Sequence, residues 1–166
     1  MKRAFTLIEL LVVMALLGIL TIITVSQFRT AIIKGRDSQR KADLSSLSKA
    51  LLYYYADYHK FPMGSPDGLI TVTDDGGERE LAWSSEFSIT ESGKNYIYMK
   101  KLPKENHADN NTIYPYCYVS NGSSFQLYGI LENPSDKDVA AKPWWDKCGV
   151  GKEVYNFGYS SPDITL

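Results

Sequence analysis

One carboxylate, Glu9, stands inside the run FTLIELLVVMALLGILTIITV and is the only ionisable side chain from Phe5 to Val25. Desolvating a carboxylate costs several kcal/mol unless a cation meets it. A helix N-terminus tolerates an acid in its first turns, so a plain membrane anchor remains open on the residues alone. That anchor has no use for the charge.

The other residues with chemical potential are sparse. Cys117 and Cys148 are the two cysteines, 31 positions apart, and His59 and His107 are the two histidines. Their spacing fits no zinc site. Neither acidic pair, Asp74-Asp75 nor Asp136/Asp138, follows an EF-hand pattern. Solvated loop charge is their default, and no metal ligand is named. There is no G-x-S-x-G elbow, and the Gly149-Val150-Gly151-Lys152 stretch lacks phosphate-loop spacing. Neither Cys117 nor the histidines carry a thiol-protease signature. The chain reads as no enzyme. The Asn-Gly-Ser and Asn-Asn-Thr triplets are explained by turn chemistry.

The elements that position these groups follow from hydrophobic spacing. Phe5 to Val25 spans about 31 Å as a helix, the thickness of a bilayer's hydrocarbon core. Lys2 and Arg3 precede it, so the N-terminus is expected to stay cytoplasmic with the remainder exported. A secretory signal would be shorter and end in an A-x-A-like site, absent here. Beyond it, Phe28, Ile32, Leu44, Leu47, Leu51, Tyr54 and Tyr58 make the stripe of an amphipathic helix. That helix ends at His59-Lys60-Phe61-Pro62. The basic residues Arg29, Lys34, Arg36, Arg40 and Lys41 outnumber Asp37 and Asp43 and read as a solvated face. DNA or anionic lipid is the sharper alternative, against which the net charge of −1 speaks.

Residues 63–92 are rich in Gly, Asp, Ser and Thr and read as a long loop with one short strand near Leu69–Val72. Tyr96–Met99 is a strand or a helical turn. The strongest β signal is YPYCYVSNGSSFQLYGILEN, two strands about a tight type I′ turn at Asn121-Gly122. Cys117 and Val119 fall on one face, Tyr116 and Tyr118 on the other. Val154–Tyr159 would add an edge strand.

The stretch K-R-A-F-T-L-I-E-L-L-V-V resembles the class III signal of type IV pilins and of type II secretion pseudopilins. The resemblance implies cleavage by a prepilin peptidase between Ala4 and Phe5, with Ala4 where Gly is usual. Phe5 would become the methylated terminus and Glu9 the fifth mature residue. The new ammonium of one subunit would then meet Glu9 of its neighbour, setting the axial register. An intrasubunit contact is the alternative. LLYYYADYHKFP and the Leu102-Pro103 hairpin region resemble the same family. Pseudopilins of the major type bind calcium in a C-terminal loop, so the resemblance invites a calcium reading of Asp74-Asp75 and Asp136/Asp138, with no cofactor as the first expectation.

The implied architecture is α+β: a long N-terminal helix packed on a small antiparallel sheet. Residues 1–4 form the leader, 5–26 the transmembrane and assembly helix, and 27–61 the amphipathic helix. Residues 62–166 hold the αβ-loop, sheet and C-terminal segment. The implied partners are further copies in a helical filament, the prepilin peptidase, an inner-membrane assembly platform and lipid. The chain would sit in the inner membrane before assembly and in an extracellular or periplasmic filament after it. A pilus subunit is the first expectation, with a pseudopilin and a minor pilin binding module as alternatives. Export suits a bond between Cys117 and Cys148, with two free buried thiols as the alternative, and some pilins carry a comparable C-terminal disulfide loop.

Overall fold

The computed structural model describes residues 6–105, 108–109, 112–113, 115–140 and 155–161. The chain forms two units, Met1–Arg36 and Asp37–Leu166. One helix, α1 (Leu7–Tyr58), passes through both without a break at Gly18 or Gly35.

In the first unit the described apolar side chains from Leu7 to Ile22 are bare. Leu7, Ile8, Leu10 and Leu11 are all exposed, as are the large apolar residues onward to Ile22. A helix apolar all round requires lipid or other helices as its surroundings. Phe28 and Ile32, from the expected stripe, are also exposed, at 70% and 45%.

In the second unit the stripe works as expected. Leu44, Leu47, Leu51 and Tyr54 are spaced by three and four and are buried against the sheets. α1 stops at Tyr58, where His59 takes a left-handed φ of 53° and its N–H still donates to the Tyr55 carbonyl at 2.8 Å. Pro62 follows, which cannot continue a helix.

Three strands form the first sheet in the order β1-β2-β3: β1 (Met63–Gly64), β2 (Ile70–Asp74) and β3 (Gly77–Leu81), all antiparallel. β4 (Phe87–Glu91) and β5 (Lys94–Met99) make a hairpin. A short pair, β6 (Ala108–Asp109) and β7 (Thr112–Ile113), follows. The last sheet runs β10-β9-β8, from β8 (Cys117–Ser120), β9 (Phe125–Gly129) and β10 (Phe157–Ser160). The fold is therefore α+β, as the spacing and the resemblance imply.

Two local expectations are corrected. Residues 63–92 are not one long loop, because they supply β1 to β4. Ile70 and Val72 alternate inward while every β3 residue before Leu81 is exposed, so only half of that sheet carries a hydrophobic signal. The tight turn also lies elsewhere. Ser92 (φ 53°) and Gly93 (φ 73°) join β4 to β5 as a two-residue loop with both φ positive, the type I′ signature. β8 and β9 are instead joined by four residues, 121–124. There Asn121 turns its side-chain Oδ1 back to accept the N–H groups of Ser123 and Ser124, each at 3.0 Å.

The face assignment of β8 holds. Cys117 and Val119 pack with Tyr128 and Tyr155, whereas Tyr116 and Tyr118 enter the main core with Leu44 and Phe125. The edge strand expected near Val154–Tyr159 is β10. β1 approaches β8 so closely that a Cβ on Gly64 would stand 2.7 Å from the Ser120 nitrogen, which only glycine avoids.

Candidate functional site

At the start of α1 Thr6 and Glu9 bind each other reciprocally. The Thr6 N–H donates to Glu9 Oε2 at 2.9 Å, and the Thr6 hydroxyl donates to the same oxygen at 2.7 Å. The Glu9 N–H donates back to Thr6 Oγ1 at 3.3 Å. With Leu7 as the first helical residue, Thr6 is the N-cap and Glu9 the third position, a capping box. The carboxylate thus has a use inside its own chain, through Thr6. The T-x-x-E pattern ahead of an apolar run was legible in the sequence. Ala4 and Phe5 lie outside the described residues.

The second charged centre is buried in unit Asp37–Leu166. Arg40 is 4% exposed and reaches three carboxylates. Its Nη1 donates to Asp37 Oδ1 at 2.7 Å, its Nε to Glu105 Oε2 at 2.7 Å and its Nη2 to Glu132 Oε1 at 2.6 Å. Asp37 also accepts the backbone N–H groups of Glu132 (2.9 Å) and Asn133 (2.8 Å). Burial alone disfavours the guanidinium's charge. The hydrogen bonds of Glu105 and Glu132 outweigh it and push the Arg40 pKa above its ordinary value.

One residue on, Lys41 Nζ bridges Asp136 Oδ1 at 2.5 Å and Asp138 Oδ2 at 2.7 Å. The Lys41 bond holds the Asp136 carboxyl below its ordinary range. The expectation of a solvated basic face therefore fails for Arg40 and Lys41: apart from Asp37, three residues before Arg40, their carboxylate partners lie 65 to 97 residues away. No spacing rule reports such pairs. Asp136 and Asp138 are likewise not free loop charge, since an ammonium already sits between them. Asp74 is taken by Arg79 at 2.7 Å. Among the described residues no cluster of three metal-ligating side chains forms.

This centre ties α1 to the loop before β6 and to the segment after β9. A planar fork meeting three acids fixes angle as well as distance, so its product is rigidity. Cys117 is fully buried and is not a free thiol. Cys148 lies outside the described residues, as do Trp144 and Trp145. Lys101, Lys104 and Ser84, with the polar face of α1 at Gln39, Asp43 and Ser46, line an open cleft of about 520 Å³. No nucleophile–base pair converges in it.

Comparison with known proteins gives two matches. The family model for the prokaryotic N-terminal methylation motif matches residues 1–25. The type II secretion system core protein G of Pseudomonas aeruginosa is 28% identical over 151 residues, covering 86% of this chain and 95% of that protein. No solved structure matches.

Proposed function

We propose that this chain, a member of the type IV pilin and type II secretion pseudopilin family, serves as a structural subunit of a helical filament. It is cut between Ala4 and Phe5, methylated at Phe5 and held in the inner membrane by α1 until assembly. The observation that carries this reading is a helix whose described residues from Leu7 to Ile22 bury nothing and lie within the match to a methylation motif over residues 1–25. Moving that helix from lipid into a bundle of copies brings no water-driven gain, so packing and polar contacts set the geometry.

Glu9 has two roles in succession. In the single subunit it caps α1 through Thr6. In the filament its charge meets the methylated ammonium of a neighbour's Phe5, while Thr6 retains the cap. The outer domain, locked by Arg40, keeps a fixed shape, and a Cys117–Cys148 bond staples its C-terminal segment. The contact between copies is heterologous and leaves the assembly open rather than closing it into a ring.

Of the two filament classes, the similarity over most of the chain to a type II secretion core protein supports the pseudopilin over the pilus. The filament would then be periplasmic and tied to protein export. Mass spectrometry of the mature N-terminus tests the processing, with methylated Phe5 the expected first residue and Met1 the refuting one. Electron microscopy of cells with and without the chain, paired with an assay of exported protein, separates the classes. Long surface filaments would return the reading to a pilus.

A further inference from the structure

Two oppositely charged surfaces of the outer domain have no partner among the described residues. On edge strand β3, Glu78 and Glu80 lie two residues apart and therefore on one face of the strand. They wall a groove of about 440 Å³ with Met63, Ser65 and Pro66. The one cation beside them, Arg79, is spent on Asp74 and on the Ser88 carbonyl, both at 2.7 Å. Among the described residues, the groove is left with two uncompensated carboxylates.

The second surface is the segment Lys100–Lys104, which leaves β5 at the end away from its turn. Lys100, Lys101 and Lys104 are all exposed. Asp43, the acid nearest them in the adjoining cleft, is occupied by Gln39 Nε2 at 2.7 Å and the Tyr116 hydroxyl at 3.0 Å. The segment is also rigid. Leu102 is fully buried and donates its N–H to the Ser85 carbonyl at 2.7 Å, and Glu105 is gripped by Arg40. Three ammonium groups are thus presented from a pinned loop, which lowers the ordering cost of any contact they make.

We propose that the Lys100–Lys104 segment of one copy docks in the Glu78/Glu80 groove of the next. Charge complementarity selects the occupant: the anionic groove needs a pinned cationic insert, and this chain presents one on a different part of its surface. Because the two surfaces differ, the contact is heterologous and repeats without closing. It rests on the filament reading and names the outer-domain contact within it. Its work is register and partner selection, as complementary surface charge generally provides.

The test uses the full chain in cells, reading filament recovered by shearing and sedimentation. Glu78→Lys/Glu80→Lys, and separately Lys101→Glu/Lys104→Glu, should each lower filament about fivefold, and all four reversals in one chain should restore it to within about twofold. Such restoration would not follow from misfolding. A photo-crosslinker at position 80 of the otherwise unaltered chain should attach to a peptide containing Lys100–Lys104 of another copy. Wild-type filament levels in both reversals, no restoration on combining them, or attachment elsewhere each overturns the contact while leaving the filament reading intact. Absence of filaments from the unaltered chain removes that reading and the contact together.

Discussion

Arg40 and Glu105 are joined at 2.7 Å inside the outer domain although 65 residues separate them in sequence. Asp37 and Glu132 complete the cage, so one cation satisfies three acids on three segments of chain. Replacing Arg40 by Met leaves those acids buried against each other. Removing one partner of a buried ion pair costs about 3–5 kcal/mol, so denaturation of the detergent-solubilised chain should show a loss of that size. Arg40→Lys should not recover it, because an ammonium cannot span three acceptors in a plane. A midpoint unchanged by Arg40→Met would mean the cage contributes nothing net.

Glu9 offers a cleaner separation of two roles. Glu9→Gln keeps an acceptor at the third helical position and can still complete the box with Thr6. It lacks the charge a neighbour's terminus needs. Both Glu9→Gln and Glu9→Leu should insert and be processed yet form few filaments. Thr6→Val should assemble nearly normally. Normal filaments from Glu9→Gln would reduce Glu9 to a cap.

Alkaline pH should unfold the domain through its tyrosines. Burial raises the pKa of Tyr54, Tyr98, Tyr116, Tyr118 and Tyr128 above the ordinary value of 10.0, and Asp57 adds to burial at Tyr98, whose hydroxyl it accepts at 2.7 Å. A group raised in the folded state binds its proton more tightly there than when unfolded. Its contribution is therefore complete below pH 10 and declines as pH rises above that. Tyrosinate absorbance should appear for these rings together with loss of β structure. Independent titration near pH 10 would contradict their burial.

At Gly64 the limit is space. Alanine there would place a methyl against the Ser120 nitrogen and force β1 off β8. Overpacking of this kind costs about 1–3 kcal/mol, and Gly64→Ala should lower the thermal midpoint accordingly. Gly18→Ala, where a Cβ meets nothing within 4 Å, should leave it unchanged.

Reduction tests the proposed Cys117–Cys148 bond. Closing a loop of about 30 residues is worth about 3–4 kcal/mol on the chain-entropy model. Cys148→Ser should lower stability by that order, and the unreduced chain should have a mass two hydrogen atoms below the reduced one. Equal masses would refute the bond.

By itself the sequence determined the features that depend on neighbours along the chain. The apolar run and its basic flank specify a helix long and apolar enough to cross a membrane, with the acid Glu9 near its start, since such a run needs no partner to be seen. Leu44, Leu47, Leu51 and Tyr54 marked the buried face, and Cys117 and Tyr118 parted to opposite sides of β8, by the logic of period. Tertiary structure decided what depends on distance in space. Edge strand β3 carries polar residues on both faces, so nothing in its composition separated it from a loop. Ser92 accepts a left-handed φ only because β4 and β5 pair on either side of it. Arg40 and Lys41 read as solvated because local sequence shows charge but not the acids waiting 65 to 97 residues on. Folding brings those acids within hydrogen-bond reach, and that converts a basic surface into a buried lock.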